Sequence, residues 1–148
     1  QLRLIAAPEG TRTIIASFDN VMTAAQATVS LLDTGVVPGK LEFMDDVSIR
    51  AVQAARDRGL SEEIGALLLV ELHGDKQTLL DDGKASLDSL QRSGVTKLRE
   101  AVSEAEQRRA WEARGAITSS LARLRAGKIF RVPRIATGII GQPASTAA

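Results

Sequence analysis

The chain has 148 residues, 44% hydrophobic and 25% charged, with a formal net charge of +1: one globular domain with a real core. Balanced charge and 3% aromatic residues argue against a nucleic-acid binder, which needs a concentrated basic field or stacking rings. The absence of cysteine removes disulfides and thiolate chemistry, the single histidine His73 argues against a His-based metal site or a Ser–His pair, and no apolar run approaches the ~18 residues of a membrane span.

Thr11 to Phe18 reads as a strand, with Ile14, Ala16 and Phe18 on one face at period two. Asn20 then caps a helix carrying Val21, Ala24, Ala25, Thr28, Leu31 and Leu32 at helical spacing, and Gly35 is placed to end it in a left-handed conformation. Leu41 to Met44 is a short second strand. Asp45 or Asp46 caps a second helix running to about Arg56, which Gly59 closes. Ala66 to Leu72 is a continuous apolar run whose length suits a buried central strand. Asp75 starts a helix in which Leu79, Leu80, Leu87 and Leu90 recur at spacings near 3.6; Gly83 weakens it and Gly94 ends it. Val95 to Arg99 is a fourth strand. Ser103 caps a long final helix to about Arg125, with Glu104 and Glu106 in the first turn, where the helix dipole favours acids.

Two βαβ-like halves, about residues 11–45 and 66–99, interleave into one antiparallel sheet. The fold class is α+β, a ferredoxin-like sandwich with helices on one face and a long C-terminal helix. An open parallel sheet would want a glycine-rich phosphate loop after the first strand, and Phe18-Asp19-Asn20-Val21 has no glycine. Residues 1–128 form the domain. Residues 129–148 are a divergent tail whose end, Ile135 to Ala148, carries no charge and no period and is expected to be mobile. The start, Gln1-Leu2-Arg3-Leu4-Ile5, has neither an initiator methionine nor a signal-peptide layout, so the chain is expected to begin partway through a longer protein of the cytoplasm.

Arg114 and Thr118 share one side of the last helix, three and seven residues after Trp111. They flank the apolar stripe Ala110, Ala113, Ile117, Leu121 and Leu124, at the edge between packed ground and a cleft. An arginine there can hold a carboxylate through two parallel charge-assisted hydrogen bonds, a threonine can add a donor, and Lys128 beyond the helix end can bring a second positive charge. From spacing alone, exposed cations on an amphipathic helix are the default reading of the same residues. Trp111 reads as a core or interface filler, Glu42 as a solvent-facing strand residue ahead of a functional one, His73 as a turn residue with a satisfied ring, and Asp45-Asp46 as a helix start rather than a metal dyad.

The chain resembles the C-terminal (cap) domain of FAD-linked oxidases of the vanillyl-alcohol oxidase type, in the branch of the glycolate oxidase D subunit and the D-lactate and D-2-hydroxyglutarate dehydrogenases. The residues that carry the resemblance are Leu2-Arg3-Leu4-Ile5 with Pro8-Glu9, Val37-Pro38 with Leu41-Glu42-Phe43-Met44-Asp45, Leu67 to Leu72, and Trp111-Glu112-Ala113-Arg114, over about residues 1–128. The resemblance implies a cap closing over the flavin of a separate FAD-binding domain, with Arg114, Thr118 and Lys128 at the carboxylate of a small 2-hydroxy acid. The family's flavin domain would precede Gln1, and its His-x-Gly-Asp-Gly-Asn-x-His segment would follow Ala148. Lys128-Ile129-Phe130-Arg131-Val132-Pro133-Arg134 reaches the family's Val-Pro-Arg early, without the usual acidic stretch. The chain therefore reads as a partial cap domain, without tight FAD binding or turnover on its own. The alternative is a non-catalytic ferredoxin-like interaction module that associates with itself or with a partner protein.

Overall fold

The computed structural model describes residues 8–55, 64–117 and 119–120. They form β1 (Gly10–Phe18), α1 (Val21–Leu32), β2 (Lys40–Asp45), α2 (Asp46–Ala55), β3 (Ala66–Gly74), α3 (Lys76–Arg92), β4 (Lys97–Ala101) and α4 (Glu104–Gly115). The four strands make one antiparallel sheet in the order β2-β3-β1-β4, the arrangement of a ferredoxin-like split βαβ pair.

Local chemistry sets the helix starts. The Asn20 side chain accepts from the Thr23 amide at 2.9 Å, Asp75 from Thr78 at 2.7 Å and Asp45 from Ser48 at 2.8 Å. Ser103 and Glu106 form a reciprocal capping box, each side chain accepting from the other's backbone N–H. The Val102 and Ser103 amides both donate to the Glu106 carboxylate and hold it below its usual range. Gly35 follows α1 and Gly94 follows α3 at φ +86° and +74°, a region other residues enter only with strain.

Where one helical layer was expected, the sheet is covered on both faces. Ile14, Ala16, Phe18, Leu68, Val70 and Leu72 meet α1 and α3 through Ala24, Ala27, Leu31 and Leu90. On the opposite face Ile15, Met44, Leu67 and Leu69 pack against Ile49, Ala51 and Val52 of α2, Ala113 of α4, and Ile117. The reason lies in β1 and β3: successive residues point to opposite faces, so runs such as Leu67–Val70 put apolar groups on both sides and require cover on both.

One boundary also differs. The fourth strand runs from Lys97 to Ala101, two residues later than expected, because the Thr96 amide and hydroxyl both bind the Ser17 carbonyl and pairing with β1 starts at Lys97. Helix α3 runs unbroken through Gly83, which is buried beneath the Arg12 guanidinium, where a Cβ would collide with it. Arg12 is thereby free to reach both carboxylate oxygens of Glu100 and the Leu79 carbonyl. The hydrogen bond to Glu100 raises the Arg12 pKa and holds the Glu100 carboxyl below its usual range. The final helix is described only to Ser120, so Leu121, Leu124 and the tail lie outside the described residues.

Candidate functional site

Helix α4 lies over the second face of the sheet, and the contact between them is unusually polar. In β2, Lys40, Glu42 and Met44 stand opposite Glu71, Leu69 and Leu67 and share that face. Met44 joins the core, while Lys40 and Glu42 meet charged partners. The Lys40 ammonium is 2.7 Å from Glu71 Oε1 and sits over the Trp111 ring, 5.0 Å from its centroid, in cation–π range. His73 Nε2 meets the same Glu71 oxygen at 2.7 Å. Gly39 makes room for this: a Cβ there would overlap the His73 imidazole.

Glu71 is only 5% exposed. Burial penalises its charge, but the hydrogen bonds from Lys40 and His73 outweigh that penalty and hold its carboxyl below the usual range. Thr13, directly across from Glu71 on β1, is fully buried, and its hydroxyl has no hydrogen-bond partner among the described residues; the same is true of Trp111 Nε1. An open cavity of about 660 Å³ adjoins this cluster, lined by Thr11, Lys40, Glu71, Gln107 and Trp111 together with three charged residues of α4.

One helical turn beyond Trp111, Arg114 turns back to the sheet. Its Nη2 is 2.8 Å from Glu42 Oε1; the Arg114 side chain is 40% exposed and that of Glu42 13%. Arg114 thus stands where the sequence places it, beside buried Ala113 at the edge of the apolar stripe. It does not line the cavity, which lies a turn nearer the helix start. Thr118 and Lys128 lie outside the described residues.

Two readings of the sequence change. Glu42 is not solvent-facing: it is enclosed under α4 and paired with Arg114. His73 lies within β3 rather than in a turn, and its ring is satisfied by Glu71. The signal for Glu42 was its two-residue offset from Met44, which puts both on one face. Asp45 serves as a helix cap and Asp46 pairs with Arg50 at 2.7 Å; among the described residues no group of three or more His, Cys, Asp or Glu could hold a metal.

Compared with known proteins, residues 7–131 match the model of the family "FAD linked oxidases, C-terminal domain". The chain belongs to that family. This FAD-linked oxidase C-terminal domain is 36% identical over 113 residues to the glycolate oxidase subunit GlcD of Escherichia coli (strain K12), covering 76% of the chain and 23% of that protein. It is 31% identical over 113 residues to a probable mitochondrial D-lactate dehydrogenase of Danio rerio, covering 76% of the chain and 22% of that protein. The chain therefore spans less than a quarter of the length of these relatives. Among solved structures, an alkyldihydroxyacetonephosphate synthase superposes with a TM-score of 0.57 at 15% identity, over 78% of this chain and 26% of that one, a likeness of fold. The matched stretch takes in Arg114, Thr118 and Lys128. No helix among the described residues is long and apolar enough to cross a membrane.

The family implies FAD in the complete protein. In the cavity beside Trp111 three glutamates, Glu71, Glu104 and Glu112, outnumber the cations Lys40 and Arg108, a lining that does not favour its diphosphate.

Proposed function

We propose that this chain is the substrate-facing part of an FAD-dependent oxidoreductase acting on a small 2-hydroxy acid of the glycolate or D-lactate class. FAD is held chiefly by a separate FAD-binding domain of the parent protein, in the cytoplasm, and supplies the hydride acceptor. Residues 1–128 are a partial cap domain and residues 129–148 a divergent tail. Arg114 binds the substrate carboxylate, Thr118 adds a hydroxyl donor and Lys128 a second positive charge. The observation that supports this most is Arg114 itself: a guanidinium at the margin of a packed helix, anchored against the sheet, in a family that includes a glycolate oxidase subunit and a D-lactate dehydrogenase. Such a fork binds a carboxylate with fixed geometry, and holding the carboxylate orients the carbon that carries the hydroxyl.

The test is anaerobic addition of glycolate or D-lactate to the complete flavoprotein. Bleaching of the bound flavin is the expected result; FAD-loaded protein that neither acid reduces would overturn the proposal. The 148-residue chain alone is expected to stay colourless with excess FAD, and a stoichiometric yellow complex would contradict the division of labour.

A second reading, a self-associating or partner-binding module without catalysis, draws on α1. That helix carries no charged residue and exposes Met22 (67%) and Val29 (59%) beside Val21 and Leu32. The gene separates the two: an in-frame FAD-binding domain supports the oxidoreductase, and its absence supports the module.

A further inference from the structure

We propose that Glu42 is the positioning residue of the carboxylate clamp: it fixes the Arg114 guanidinium before substrate arrives. The inference rests on the clamp reading above and goes beyond it, to how the clamp is set.

Strand β2 holds Glu42 rigidly. Its neighbours Leu41 and Phe43 pack into the core on the first face, and Met44 is 1% exposed on the second. Glu42 stands opposite buried Leu69, so its carboxylate emerges from packed ground directly beneath α4. It engages Arg114 through one nitrogen, Nη2, at 2.8 Å. A guanidinium carries five N–H donors in a planar fork, so a contact at Nη2 restrains its position and leaves donor capacity for a second carboxylate. A free arginine side chain loses rotamer entropy when it is immobilised. With Glu42 in place, part of that ordering is complete in the unliganded protein and does not weaken substrate binding.

The experiment is a double-substitution cycle in the complete flavoprotein, with D-lactate and glycolate as substrates. Arg114→Ala is unsuited, because it would leave the partly buried Glu42 carboxylate without a hydrogen-bond donor from that position. Glu42→Gln, Arg114→Gln and the doubly neutral Glu42→Gln/Arg114→Gln each keep a hydrogen-bonding side chain at both positions, isosteric at Glu42 and shorter than the native fork at Arg114. Glu42→Gln is expected to raise KM about five- to tenfold with kcat within about twofold, since an interaction that only positions the clamp is lost in ground and transition state alike. Arg114→Gln is expected to raise KM more, and adding Glu42→Gln to it is expected to change KM by less than about twofold, because Glu42 acts only through the guanidinium.

Each other result overturns the proposal. An unchanged or lowered KM in Glu42→Gln makes Glu42 a bystander or a competitor for Arg114. Effects that multiply in the double variant mean that Glu42 acts by another route. If Arg114→Gln raises KM and Glu42→Gln does not, the positioning role alone fails. If Arg114→Gln leaves KM unchanged, the clamp reading fails and the positioning role with it. Melting temperature and flavin occupancy of each variant show whether a change in KM reflects the site or the fold.

Discussion

Replacing Glu71 with glutamine removes the one carboxylate that the described residues bury, and the cost can be worked from its surroundings. Its Oε1 receives Lys40 and His73, each at 2.7 Å. A hydrogen bond to a charged group contributes about 1.5–3 kcal/mol when both partners are shielded. Here Lys40 is 46% and His73 32% exposed, so both regain water when the carboxylate is lost, and the two contacts together are worth about 2 kcal/mol. For a chain of this size that is a fall in Tm of about 4–8 °C at neutral pH, read by thermal melting of the 148-residue chain.

The pH dependence has a definite sign. The native Glu71 carboxyl lies below its usual range, so its contribution is complete above the unfolded value of about 4.3 and is lost as pH falls through the lowered native value. The gap in Tm between native chain and Glu71→Gln is therefore expected to hold from neutral pH down to about 5 and to close in stronger acid. An unchanged or raised Tm for Glu71→Gln at neutral pH, or a gap that widens on acidification, would refute the assignment of Glu71 as a stabilising hub.

Gly83→Ala should gain about 1 kcal/mol of helix propensity, but the new Cβ displaces Arg12 from Glu100 and Leu79; a net loss of about 1 kcal/mol is expected in urea unfolding. In an Arg12→Ala background the same change is expected to stabilise, and destabilisation there would refute the steric account. Ser103→Ala removes half of the capping box and is expected to cost about 1 kcal/mol, with an equal loss in a Glu106→Ala background arguing against the reciprocal cap.

Much of the architecture was legible because it is written locally. Asn20, Asp75 and Ser103 cap the helices they precede, and the unbroken run Ala66–Leu72 is the buried part of a central strand. The same run holds the information that both sheet faces need cover, since a strand apolar on both sides is incompatible with a single helical layer. Other features depend on partners distant in sequence. Gly83 looks like a flaw in a helix until Arg12 is seen lying across it. Glu42 looks like an exposed strand residue, since its neighbour on the same face is Lys40; only the docking of α4 encloses it. The position of Arg114 at the edge of the stripe followed from helical periodicity alone, whereas the carboxylate that restrains it did not, because α4 and β2 meet only in the folded sheet.

The most direct measurement is substrate discrimination by the complete flavoprotein: kcat/KM for lactate divided by kcat/KM for lactamide, which keeps the shape and the hydroxyl but loses the negative charge. Removing one member of a close charge pair costs about 2–5 kcal/mol, so Arg114→Gln is expected to lower that ratio at least about thirtyfold. A ratio left where the native protein has it would show that the Arg114 guanidinium never meets the carboxylate.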